Sequence, residues 1–297
     1  MSVEIRHPAF DDVVGTSVEL ERLATGFLFT EGPLWHPGER SLLFSDMPGD
    51  IIRRWTAAGG VETFRSPSGK SNGLTWDREG RLLACQHATS TVTRTEADGA
   101  LTTLASHHEG KELNSPNDIV VKSDGAIYFS DPVYGRLNFY GVERPVQLGF
   151  QGVYRLLPEG GAPLLLARDF GQPNGLCFSA DERNLYVNDT ERMHIRRFDV
   201  EPDGTLGTGR VFAETTGEGN GAPDGMKIDS QGNLYCCGPG GIHVFRGSGE
   251  CLGVIRTPEV AANFAFGDDG LRSLFITAST SLYRVRVKVP GTCPYPT

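Results

Sequence analysis

The stretch Asn117-Asp-Ile-Val-Val-Lys-Ser-Asp-Gly-Ala-Ile-Tyr-Phe-Ser-Asp131 decides how this chain folds. It opens on an oxygen-bearing head, runs into a short apolar strand, turns at Asp-Gly and returns as a second apolar strand. The same pattern occurs five more times. The other copies are Glu31-Gly-Pro-Leu-Trp to Asp46, Asn72-Gly-Leu-Thr-Trp to Gln86, Asn174-Gly-Leu-Cys-Phe to Asp189, Asp224-Gly-Met-Lys-Ile to Gly238, and Asn263-Phe-Ala-Phe to Ala278. All six heads carry a carboxylate or an amide.

The heads at 31, 72, 117, 174, 224 and 263 are separated by 41, 45, 57, 50 and 39 residues. Repeats of about 40–50 residues with four short strands each are the mark of a β-propeller. The second half of each repeat agrees: 51–60, 91–99, 152–161, 194–204 and 242–249 each read as a strand running into a Gly-containing turn, and 281–288 supplies the last such strand. Short outer strands follow most of these turns, at 61–65, 101–105, 164–168, 210–213 and 251–256. The prediction is an all-β, six-bladed propeller with four antiparallel strands per blade, one domain over 1–297. Residues 17–30 are strand-like and precede the first head, so they are expected to complete the last blade and close the ring, which removes exposed sheet edges. The longest spacing contains an insert at 132–150 rich in Tyr, Phe, Gly and Arg; it reads either as a lid over the channel mouth or as a neutral surface loop.

In a closed ring, equivalent positions face one axis. The heads therefore surround the channel, and the ends of the second strands (Asp46, Gln86, Asp131, Asp189, Gly238, Ala278) form a circle one strand further out. Asn-Gly and Asp-Gly are also strong hairpin dipeptides, and a turn role is the alternative for 72, 174 and 224. Against it, each copy has its own later turn, and Glu31 shares the register although Glu is a poor turn residue. Carboxylates facing one channel repel and are costly to desolvate, so a bound cation is the economical resolution. An all-oxygen set without His or Cys favours Ca²⁺, Mg²⁺ or Mn²⁺, Ca²⁺ first, over structural zinc.

Composition narrows the function. A net charge of −9 without a Lys/Arg cluster excludes nucleic acid and anionic membrane as main partners. Met1 to Asp11 lack the pattern of a secretory signal, and no apolar run reaches the roughly 20 residues of a membrane helix, so the chain reads as soluble and cytoplasmic. Six cysteines without C-x-x-C spacing read as buried free thiols. No nucleophile elbow, Walker A motif or His-Glu-x-x-His is present. His87, beside Gln86, is either a structural histidine or a substrate contact, and His107-His108 reads as a solvated loop.

Thr30-Glu-Gly-Pro-Leu-Trp, Leu113-Asn-Ser-Pro-Asn-Asp118, Phe129-Ser-Asp-Pro132, Gln172-Pro-Asn-Gly-Leu176 and Ala222-Pro-Asp-Gly-Met226, in this order and spacing, resemble the SMP-30/gluconolactonase/LRE family, in particular its bacterial-type gluconolactonases. The resemblance covers nearly the whole chain. It implies a six-bladed propeller with one divalent cation (Ca²⁺ first; Mg²⁺, Mn²⁺ or Zn²⁺ otherwise), held by Glu31, Asn174 and Asp224. It also implies that Asp224 serves as acid/base and that Asn117 contacts substrate. The animal members carry Arg two residues before that Asn, where this chain has Ser115, so sugar recognition falls to other groups: Asn114, Arg136 or His87, with Asn72 and Asp131 as further candidates. The implied substrate is a sugar lactone such as glucono-1,5-lactone. The alternatives are another lactone or an organophosphate ester on the same metal, or a non-catalytic propeller plugged by Ca²⁺.

Overall fold

A computed structural model describes residues 2–295 and arranges them as six antiparallel sheets around one axis. From the axis outward, blade 1 consists of Thr30–His36, Ser41–Asp46, Ile51–Thr56 and Gly60–Arg65. Blades 2, 3 and 4 repeat this meander from Ser71–Trp76, Ile119–Val121 and Pro173–Phe178, and blade 5 begins at Met226–Ile228. Blade 6 takes three strands from Ala261–Gly267, Ser273–Ala278 and Ser281–Arg286. Its outermost strand is Leu20–Thr25, paired with Ser281–Arg286, so the N-terminal segment closes the ring as the repeat pattern predicts.

Each blade lies between two others, and this is why its middle strands read as unbroken apolar runs. Six separate hydrophobic clusters fill the six seams. Ser41–Asp46 and Leu234–Gly238 are buried throughout, whereas the outer strand Gly60–Arg65 is largely exposed. The closing seam between blades 6 and 1 is fastened by Trp35 stacked on Phe275 at 5.1 Å. All six cysteines are free; four are buried, and Cys251 and Cys293 are half-buried.

Three features were not anticipated. Val3–Ile5 adds a fifth strand to the rim of blade 5, and the short helix Phe10–Val13 drops Phe10 into the seam between blades 5 and 6. His107–His108 is not a solvated loop. It forms a small hairpin with Lys111–Glu112, and His108 donates through Nδ1 to the Pro163 carbonyl (3.2 Å) against the Tyr154 ring. Lastly, residues 292–294 fold across the far end of the channel, where Tyr295 packs on His36 and Trp76. No described helix is long and apolar enough to cross a membrane.

Candidate active site

The heads are delivered to the axis by a recurring irregularity. In blades 1, 2, 4 and 6 the innermost pair gains one extra residue at the head: between Glu31 and Leu34, Ser71 and Leu74, Pro173 and Leu176, and Ala261 and Asn263. A bulge bends its strand and re-aims a side chain, here toward the channel. The glycines after the heads have a different role from the turns they could have marked. A Cβ on Gly73 would stand 2.5 Å from the Asn117 carbonyl oxygen, and one on Gly175 2.1 Å from that of Asp224. Glycine follows the head because the next blade's head presses against it. The hairpin alternative for Asn72 and Asn174 is thereby set aside, since both lie inside strands.

At the insert end of the channel, a cavity of about 280 Å³ is lined by Glu31, Asn72, His87, Asn117, Asn174 and Asp224. Phe29, Met47, Tyr134, Tyr140 and Thr190 are also on its wall. Glu31 Oε2 accepts from the Gly32 amide (2.7 Å) and from Asn263 Nδ2 (3.1 Å). Asp224 touches both Glu31 and Asn174. Burial pushes the Glu31 carboxyl up to about 7. Asp224 rises well above the usual carboxylate range, from burial first and then from the neighbouring Glu31 and Asp118 charges. Two desolvated carboxylates in contact are the environment that a cation relieves.

The amides are oriented to help. His87 Nδ1 lies 3.0 Å from the Tyr140 carbonyl, which can only accept, so Nδ1 carries the proton and Nε2 is bare. Asn72 Nδ2 therefore donates to Nε2 (3.4 Å), which leaves the Asn72 oxygen free for the cavity. Asn174 Nδ2 donates to Thr190 Oγ1 (3.2 Å), which turns its oxygen the same way. Burial holds His87 neutral, with its pKa lowered to about 4. Glu31, Asp224 and the Asn174 oxygen are hard oxygen groups that could hold Ca²⁺ or a similar divalent ion, and the Asn72 oxygen faces the same cavity.

Other candidates are placed elsewhere. Asn114 is fully buried, its Nδ2 donating to the carbonyls of Asp131 (3.0 Å) and Phe150 (2.9 Å). Asp131 accepts from the amides of Asn114 (2.9 Å) and Ser115 (2.8 Å). Neither lines the cavity, so both expected substrate contacts are corrected to a structural clamp. Asp189 does the same for Gly171 and Gln172, and Asp46 for Leu28. The three acids of the outer circle thus hold the loops before Glu31, Asn117 and Asn174 instead of lining the cavity. Arg136 is also spent internally, on the carbonyls of Leu113, Asn114 and Pro145 and on Glu112. The insert it braces supplies Tyr134 and Tyr140 to the wall. Tyr134 Oη donates to Gln172 Oε1 (2.7 Å), and the Tyr140 ring meets Phe29 at 5.4 Å. Tyr134, Tyr140 and Thr190 were missed as wall residues. The tyrosines lay in an insert flagged only by composition, and Thr190 was legible as the residue after Asp189, at the channel end of its strand.

A propeller whose inner strands and their leading loops bring two carboxylates and several amides to one cavity under an insert has the architecture of an enzyme active site. The chain belongs to the SMP-30/gluconolactonase/LRE-like family, whose pattern matches residues 29–280. It is 35% identical to a gluconolactonase of Zymomonas mobilis over 96% of this chain and 85% of that protein. A solved gluconolactonase from Xanthomonas campestris is 36% identical and superposes with a TM-score of 0.89, covering 97% of this chain and 95% of its own. A pentonolactonase of Haloferax volcanii is 26% identical, over 84% and 81% respectively.

Proposed function

We propose that this protein is a divalent-metal-dependent lactonase, a carboxylic ester hydrolase that opens a sugar lactone of the glucono-1,5-lactone type to the aldonic acid. The observation that carries the reading is that Asp224 touches both buried Glu31 and Asn174 on the wall of a cavity large enough for one sugar ring. The gluconolactonase and pentonolactonase relatives support the substrate class. Glu31, Asn174 and Asp224 would hold the cation, which when bound polarises the lactone carbonyl.

The remaining chemistry belongs to side chains. Asp224 takes a proton from the attacking water and returns it to the ring oxygen as the C–O bond opens. Asn117 and Asn72 offer amide groups to the sugar hydroxyls, and neutral His87, whose Nε2 accepts from Asn72 Nδ2, holds the Asn72 amide in place beside them. Tyr134 and Tyr140, brought over the mouth by the insert, exclude bulk water, in keeping with a lid.

The test is hydrolysis of glucono-1,5-lactone followed by pH-stat, with spontaneous hydrolysis subtracted. Chelator-stripped protein should be inactive and should recover with a divalent ion, Ca²⁺ foremost. Asp224→Ala should lower turnover by about 10²- to 10⁴-fold, the usual contribution of a general acid–base. A stripped protein that keeps full activity would sink the metal role, and a near-wild-type Asp224→Ala would sink the proton-transfer role. Rates on hexono- and pentonolactones then rank the substrates.

A further inference from the structure

Two residues break the repeat, and both breaks meet in the channel. The position after the head is Gly in four copies and Phe in one, yet it is Asp118 in the third. Three residues after the head the other copies carry Leu, Thr, Val, Cys and Phe, whereas the fifth carries Lys227. Asp118 is buried, accepting from the amides of Ile119 (3.0 Å) and Leu176 (3.4 Å). Lys227 donates to Asn263 Oδ1 (3.2 Å), and the same Asn263 donates through Nδ2 to Glu31 Oε2 (3.1 Å). Glu31 lines the near cavity and Lys227 the far one, so the chain Glu31–Asn263–Lys227 spans the partition between them. The ammonium lies close enough to favour ionisation of both Glu31 and Asp118.

The channel therefore contains three carboxylates, buried Glu31 and Asp118 and half-buried Asp224, and one ammonium, Lys227. Their formal sum, −3 + 1, is −2. We infer that Lys227 and Asp118 are the residues that set the charge of the ion this site accepts: with both present, a doubly charged cation makes the channel neutral. This rests on the metal-site reading above, but it concerns residues outside the ligand set. Each such charge, removed, shifts the affinity for a cation by its own Coulomb interaction with the ion, and the shift is large because little solvent screens it.

The test is ion binding, with no turnover involved. Titration calorimetry with Ca²⁺ and Tb³⁺ luminescence are compared in the wild type, Lys227→Met, Lys227→Arg and Asp118→Asn, each checked for folding by circular dichroism. Removing the ammonium should tighten Ca²⁺ by about ten- to a hundredfold at an effective dielectric near 20, and Tb³⁺ by more. Lys227→Arg should stay near wild type, and Asp118→Asn should weaken both ions. The opposite signs matter, since mere structural damage would weaken binding in every variant. Lys227→Met that leaves affinity unchanged or lowers it overturns the inference; a misfolded Lys227→Met transfers the same criterion to Lys227→Gln. Wild-type protein that binds neither ion would instead overturn the metal reading itself.

Discussion

At the scale of single residues, bonding geometry decides which of several identical side chains are available for chemistry. Asn72 and Asn174 each give their amide hydrogens to a neighbour and keep an oxygen for the cavity, whereas Asn114 and Asn263 are consumed by protein partners. His87 yields a pH prediction. Its folded pKa of about 4 lies below the ordinary 6.5, so between these values the unfolded chain binds a proton that the native protein does not. The sign is fixed: full stability above pH 6.5, lost as the pH falls toward 4, by on the order of 3 kcal/mol at most. Calorimetry of wild type and His87→Gln should show this acid-dependent loss in the wild type alone, and ¹⁵N imidazole spectra should report a neutral Nδ1–H ring down to about pH 4. Titration of His87 near 6.5 would contradict the buried geometry. The heads were legible because a register repeated six times is hard to produce by chance. The fates of Asn114 and Asp131 were not, because an amide or carboxylate that clamps a loop has the same letter as one that meets a ligand.

At the scale of elements, the strands were readable almost throughout, since burial on both faces writes an apolar run and a Gly-containing turn marks each reversal. The exceptions are informative. Val3–Ile5 is a three-residue strand and Phe10–Val13 a single helical turn, both too short to carry a period. The insert is where prediction can be tested. Arg136 satisfies the carbonyls of Leu113, Asn114 and Pro145 at once, and hydrogen bonds to a charged group are worth about 1.5–3 kcal/mol each. Arg136→Met should therefore loosen 132–150 while leaving the blades intact. Hydrogen exchange should accelerate there specifically, and KM should rise several-fold more than kcat falls. Unchanged exchange across the insert would show that the tyrosine contacts alone hold it.

At the scale of the whole molecule, closure depends on a strand borrowed from the other end of the chain. Deleting residues up to 26 removes Leu20–Thr25 and leaves Ser281–Arg286 as an open edge, which templates pairing with other molecules. The truncated protein should melt at least about 5 °C lower, as a loss of 2 kcal/mol or more would require at this size. It should also elute as larger particles than the full chain; the same melting point and elution volume would mean that three strands suffice for the last blade. Closure was foreseen from register, because the sixth repeat runs out of chain one strand short. What register could not reveal is how the far end of the channel is finished. Residues 292–294 lie across it, and the Glu31–Asn263–Lys227 chain forms a wall behind the ligand set. Among the described residues, the tunnel that a ring of blades leaves down its middle is thus partitioned into a near chamber under the insert and a far one bordered by the C-terminal segment. On the proposed function, the acid product would leave by the same doorway, past Tyr134 and Tyr140, through which the lactone enters.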